Sequence, residues 1–282
     1  MRLTRISNTL LAVVCALSAA PLVFAQVKAE EAHAATAAPE HSAAELAKQT
    51  QNPIASLISV PFQYNSNNGA GPTNTSTSDL NFQPVIPFAI SKSTNVILRV
   101  VMPLLSAPLP NGERTSGIGD TLTSVFFSPS KPGKIIWGLG PAIQLPTATN
   151  KALGSEQFAM GPTAVALMQP GHWTLGMLWN HLWTVSGASD RKRINQDYIQ
   201  PFINYNLGNG LALGVSMEAT MTLKAADPWS GPALVNLTKV TMLRRQPVQI
   251  GMSAGPYVFR PNGAPSWRFR FTVNFLFPRG AA

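Results

Sequence analysis

Apolar and polar residues alternate with a period of two along most of this chain. The clearest run is Trp267–Phe277, Trp-Arg-Phe-Arg-Phe-Thr-Val-Asn-Phe-Leu-Phe. Its odd positions are all large and apolar and its even positions mostly polar, so a strand here has an aromatic face and a polar face. Residues 172–185 put Trp173, Leu175, Met177, Trp179 and Trp183 on one face against Thr174, Gly176, Asn180 and Thr184 on the other. Residues 211–223 and 247–260 read the same way. The pattern predicts strands near 56–65, 79–90, 95–105, 119–128, 134–146, 157–169, 172–185, 194–207, 211–223, 232–243, 247–260 and 265–277. The strands near 119–128, 157–169 and 232–243 alternate poorly, which leaves two explanations open: bulges that shift the phase, or boundaries that lie elsewhere.

The connections come in two kinds. Ser91-Lys92-Ser93-Thr94, 129–133, Pro170-Gly171, Gly208-Asn209-Gly210 and 244–246 are tight, and Asn209-Gly210 is a hairpin turn pair. Between them lie the longer stretches 66–78, 106–118, 147–156, 186–193, 224–231 and the short 261–264. Alternating short turns and long loops predict a membrane barrel with long loops outside and both termini periplasmic. Charge follows the loops. Lys92, Lys131, Lys134, Arg244, Arg245 and Arg279 sit at the tight-turn end, where anionic headgroups favour them. Most acids fall in or beside the long connections. Trp137, Trp173, Trp183, Trp229, Tyr257 and Trp267, near strand ends, are candidates for interfacial girdles.

The first residues read differently. Arg2 and Arg5 precede an apolar run from Leu10 to Leu22, and Val23-Phe24-Ala25 is a cleavage signal, so residues 1–25 are expected to be an export signal. Residues 26–53 are expected to form a periplasmic extension. In it, Ser42-Ala43-Ala44-Glu45 is a capping box that favours a helix to about Gln49, and Pro53 stops it. The fold class is therefore all-β, a transmembrane antiparallel up-and-down β-barrel of about twelve strands over 54–278, with a short N-terminal helical or disordered extension and a tail at 279–282.

Composition narrows the chemistry. The chain carries 21 basic and 12 acidic residues, a net charge of +9. Cleavage would remove two basic residues and no acid, leaving +7. Export and the lack of a nucleic-acid motif set nucleic acid aside as a partner. The one cysteine, Cys15, lies in the signal, which excludes disulfides and thiolate chemistry from the mature chain. His172 and His181, nine apart on one strand, fall on opposite faces and share no metal. No cofactor or metal is expected, and no catalytic residue is assigned. His181 is the one candidate base for a Ser-His lipid enzyme.

Phase places Arg99, Glu218, Arg268 and Arg270 inward, with Gln63, Gln83, Gln144, Asn180, Gln200, Asn204 and Asn274. Lys239 joins them if a bulge intervenes. These residues read equally as a polar, net-positive solute pathway and as a lumen network that packs a narrow barrel. For residues 26–52 two readings also stay open, a plug that enters the lumen and a loose periplasmic tail.

Several motifs together resemble a family of bacterial outer-membrane transporter-like barrels of the phenol-degradation meta-pathway type, some of whose members carry a neuromedin-U label. They are Glu45-Leu46-Ala47-Lys48-Gln49-Thr50-Gln51-Asn52-Pro53-Ile54-Ala55 with 57–63, Gly117-Ile118-Gly119-Asp120, Gly138-Leu139-Gly140-Pro141, 145–149, Gly161-Pro162, Gln246-Pro247-Val248, Arg260-Pro261-Asn262-Gly263 and Phe275-Leu276-Phe277-Pro278. Together they span about 45–278. The resemblance implies an outer-membrane barrel with a transport role and no catalytic residues. The expected function is passive passage of small, hydrophobic or aromatic, molecules. The alternatives are a lipid-modifying barrel enzyme and a plugged structural barrel. Expected partners are outer-membrane lipids, a small-molecule solute and the barrel assembly machinery, with the protein a monomer.

Overall fold

The computed structural model of the protein describes residues 42–71, 73–109 and 111–278. The export signal, Cys15, the extension up to residue 41 and the tail at 279–282 lie outside the described residues.

One helix, α1 (Ala43–Thr50), precedes fifteen described strands. They are β1 (Ile58–Ala70), β2 (Thr75–Phe82), β3 (Val85–Ala89), β4 (Thr94–Pro108), β5 (Arg114–Ile118), β6 (Thr121–Pro129), β7 (Ile135–Leu145) and β8 (Gln157–Met168). The remainder are β9 (Trp173–Gly187), β10 (Asn195–Gly208), β11 (Leu211–Met217), β12 (Ala219–Thr222), β13 (Trp229–Leu243), β14 (Gln246–Phe259) and β15 (Trp267–Phe277). All pairings are antiparallel. The first and last strands close the barrel, in register from Ile58 opposite Phe277 to Asn68 opposite Trp267. The fifteen strands make twelve staves, because three staves are interrupted: at Gln83-Pro84, at Gly119-Asp120 and at Glu218. Pro84 has no N–H to give the ladder, but its carbonyl still accepts from the Val100 N–H at 3.1 Å.

The expected alternation holds in β15, whose odd positions face out and even positions face in. It also holds geometrically in β8, where sequence reading failed. Gln157, Ala159, Gly161, Thr163, Val165 and Leu167 face in and their neighbours face out. β8 is apolar on both faces toward its turn end, so no period of two is visible there. In β13 a register shift at Gly231/Pro232 supplies the bulge.

Two connections expected to be long are short. β1 runs to Ala70 and β2 starts at Thr75; β4 runs to Pro108 and β5 starts at Arg114. The polar runs Ser66-Asn67-Asn68 and 75–78 read as loop, yet they pair across β1 and β2, and Asn67 turns its side chain into the lumen. At the Asn209-Gly210 turn both residues have positive φ, 50° and 78°, as a two-residue hairpin requires.

Outside, Leu139, Met177, Val215, Leu237, Met252 and Phe271 are all exposed. In water such a wall would be an association liability, whereas it suits hydrocarbon. Trp137, Trp173, Trp183 and Trp267 are exposed on this surface too. Tyr257 is not part of a girdle: it faces inward and hydrogen-bonds Asn67 and Arg268.

Candidate functional site: the barrel lumen

The lumen has two layers. Toward the tight-turn end, β4, β6, β8, β9 and β10 contribute an apolar layer of inward residues. Ile97, Phe126, Val165, Leu167, Leu178 and Phe202 pack around Ile54, which arrives from the segment between α1 and β1. This is a closed floor.

α1 completes it. Eight residues are too few to hold a helix alone in water, so packing must supply the stability. Ser42 caps the helix, its Oγ accepting from the Glu45 N–H at 3.1 Å. Leu46 and Ala47 are each 1% exposed, packed with Ala55, Leu57, Val240 and Leu276. Polar contacts pin its C-terminal end to the wall. Gln249 donates to the Thr50 hydroxyl at 2.7 Å, Gln51 to Asn206 at 2.8 Å, and Gln169 to the Lys48 carbonyl at 2.8 Å. The segment 42–57 is thus seated in the turn end of the barrel, and for these residues the loose-tail reading is overturned.

Above the floor lies a polar chamber, a cavity of about 260 Å³. One wall is held together by its own side chains. Glu218 sits at the break between β11 and β12, its N–H bonded to the Pro232 carbonyl at 2.9 Å. Its carboxylate crosses β13 and β14 to accept from Arg268 Nη1 at 2.7 Å and from Arg270 Nη1 and Nη2 at 2.6 and 2.8 Å. The guanidiniums pass over β14 because its inward positions there are small: Ser253 lies opposite Arg270 and Gly255 opposite Arg268. The remaining donors of the two arginines reach Asn65, Asn67 and Tyr257 at 2.6–2.8 Å. Asn65, Asn67 and Asn81 in turn donate to Asp79 at 2.6, 3.2 and 2.8 Å. Such a network resists change, because each member leaves a buried partner unsatisfied if removed.

The opposite wall is different. Asn180 of β9 and Gln196, Tyr198 and Gln200 of β10 line the chamber without a hydrogen bond from their side chains to any described residue. Arg99 of β4 donates Nη2 to Gln83 at 3.1 Å and has no carboxylate partner among the described residues.

The sequence-derived candidates distribute as follows. Arg99, Glu218, Arg268, Arg270, Gln144, Asn180, Gln63, Gln83 and Gln200 all line the chamber. Gln144 lies toward the loop end, donating to Asp120 and Ser155. Asn274 lies below the chamber, buried beside Gln249. Asn204 is on the inward face of β10, opposite Gly214. Lys239 is a correction. The ladder from Val235 to Leu243 runs without a shift, so Lys239 shares the outer face with Val235 and Leu237 and donates to the Asn209 carbonyl at 2.5 Å. Asp79, Asn65, Asn67, Tyr198 and Gln196 were missed. Their parity with Gln63 and Gln200 was the available signal, hidden for Asn67 because it read as loop.

His181 faces outward and pairs with Asp197, Nδ1 to Oδ1 3.1 Å; the same oxygen accepts from Trp179 Nε1 at 2.9 Å. No serine hydroxyl among the described residues hydrogen-bonds the His181 ring. His172, in the turn before β9, meets the Asn206 carbonyl at 3.0 Å.

No family model matches the chain, and no curated protein matches it. Among solved structures the chain is similar to the COG4313 outer membrane channel from Pseudomonas putida F1, at 14% identity and TM-score 0.59, covering 78% of this chain and 94% of that one. Weaker likenesses are to outer membrane phospholipase A from Escherichia coli (10% identity, TM-score 0.44, 79% and 93% covered) and to the Salmonella typhi outer membrane phospholipase (10%, 0.43, 86% and 99%). At those TM-scores the two phospholipases carry no argument here. The likeness to the channel shows the fold, and the fold is that of a closed, twelve-stave outer-membrane barrel.

Proposed function

We propose that the protein sits in the bacterial outer membrane and is a passive channel for small solutes, closed at its periplasmic end by the segment 42–57. The observation that carries this is the two-layer lumen. A packed structural barrel has no use for a polar chamber lined by unpartnered amides, and an open pore has no use for an apolar floor. A chamber above a removable floor suits gated passage. Two further cavities border the plug: one of about 380 Å³ between residues 49–56 and the β6–β7 turn, and one of about 90 Å³ that reaches Arg99 and Gln83. They mark the path that opens when the plug shifts. The likeness to the COG4313 outer membrane channel supports this reading. The chamber lining favours polar solutes over the hydrophobic or aromatic ones that the resemblance implied. A lipid enzyme gains no support from His181, whose ring meets Asp197 and no serine hydroxyl among the described residues.

Conductance of the refolded protein in planar bilayers tests the reading. Deleting residues 26–52 is expected to raise conductance with the barrel still folded. Equal conductance of the two proteins would reject gating, and no conductance from either would reject the channel.

A further inference from the structure

The lumen arginines are not equivalent. Arg268 and Arg270 share Glu218, and all three belong to a closed set of hydrogen bonds. Arg99 does not. Among the described residues its side chain hydrogen-bonds the Gln83 amide oxygen, and Gln83 is oriented for this by donating its own Nε2 to Gln63 at 2.8 Å. Facing it across the chamber, Gln196, Tyr198 and Gln200 follow one another at every second position of β10, and Asn180 is the cross-strand neighbour of Tyr198. Asn180 is 2% exposed and its amide has no partner among the described residues. Buried polar groups are nearly always paired. Chamber-facing polar groups with no partner among the described residues, opposite a guanidinium that hydrogen-bonds no carboxylate there, make a site suited to a ligand.

We propose that the chamber binds a small hydrophilic carboxylate, its carboxylate on Arg99 and its hydroxyl groups on Tyr198, Asn180 and the two glutamines. The charge count fixes the class. Chamber charges are Arg99, Arg268 and Arg270 against Asp79 and Glu218. One negative charge neutralises that balance, whereas a phosphate dianion overshoots it. The guanidinium fork matches a planar carboxylate in two parallel hydrogen bonds. Neutral amides and a phenol then read hydroxyls, each able to donate or accept. A hydrophobic solute would leave all these groups unpaired. The inference rests on the chamber being the solute pathway, but binding can be measured without transport.

The test is titration calorimetry on the full-length protein refolded in detergent, with sodium gluconate, glucose and inorganic phosphate as probes. Gluconate is expected to bind, and glucose at least about tenfold more weakly, since a charge-assisted hydrogen bond is at stake. Arg99→Gln removes the preference for gluconate, Arg99→Lys keeps part of it, and Tyr198→Phe weakens gluconate about two- to tenfold. Circular dichroism confirms that each variant is folded, and the lysine and phenylalanine variants stand in if the glutamine variant is not. Equal affinity for gluconate and glucose, or gluconate binding unaltered in Arg99→Gln, overturns the proposal. Phosphate binding more tightly than gluconate gives the site to phosphate and overturns the carboxylate. Gluconate binding by a protein that never conducts sinks the channel and leaves the site standing; conductance without gluconate binding does the reverse.

Discussion

At the turn end of the lumen Ile54 is enclosed by Ile97, Phe126, Val165, Leu167, Leu178 and Phe202. One layer higher, inward positions of the same barrel carry Arg99, Glu218, Arg268 and Arg270. The two layers share strands and a lipid-facing surface, and differ in what fills the space between the walls. The floor is filled by a segment of the chain itself, so its walls can be apolar. The chamber is filled by side chains that bond along one wall and by open volume, so its inward positions are polar. A barrel interior is thus not one environment, and its polarity follows its filler.

The largest effect is expected where the chamber depends on a single acid. Glu218→Ala leaves Arg268 and Arg270 without their shared carboxylate, with side chains only 17% and 9% exposed. Breaking a buried pair in this way costs about 3–5 kcal/mol. Urea unfolding in lipid vesicles measures it, and adding Arg268→Met with Arg270→Met should restore most of the loss. A neutral Glu218→Ala would show that the arginines are solvated and that the chamber is as wet as an open pore.

Next comes the contrast between faces of one strand. Phe271→Arg puts a charge into lipid at about 2–4 kcal/mol, whereas Thr272→Arg enters the chamber side beside Gln63 and Gly251. Folded yield in vesicles compares them, and equal yields would break the assignment of inside and outside in β15. In the floor the contrast should vanish: Leu167 faces in and Met168 faces out, yet arginine at either site should depress yield.

A smaller effect is expected from loosening the floor without breaking it. Ile54→Val removes one methylene from the cluster, about 0.5–1.5 kcal/mol. Channel openings in planar bilayers should become more frequent while gluconate binding in the chamber stays the same. A change in binding and not in openings would show that the two layers are not separable. Finally, a tag in the connection at 146–156 should be accessible on intact cells and one at 130–134 should not. Reversed labelling would exchange the ends to which floor and chamber are assigned.

The sequence by itself determined the elements that repeat locally. Period two named the strands of β9, β14 and β15, the Ser42 to Glu45 capping box located α1, Asn209-Gly210 set a hairpin turn, and parity placed eleven polar candidates inward, nine of them lining the chamber. Each of these depends on residues near in sequence. What the tertiary structure alone decided was what each inward position meets. β8 looked irregular because its inner face packs on a floor supplied by Ile54, more than a hundred residues away in sequence. Asn67 looked like loop, and Asn65 and Asp79 like strand ends beside it, because nothing local shows that Arg268 and Arg270 reach β1 from the other end of the chain. Lys239 kept its outward phase because the bulge fell at Gly231/Pro232, ahead of it. Which arginine is matched and which is free depends on the chord that Glu218 draws across the lumen. That chord is a property of barrel closure and has no signature in a period of two.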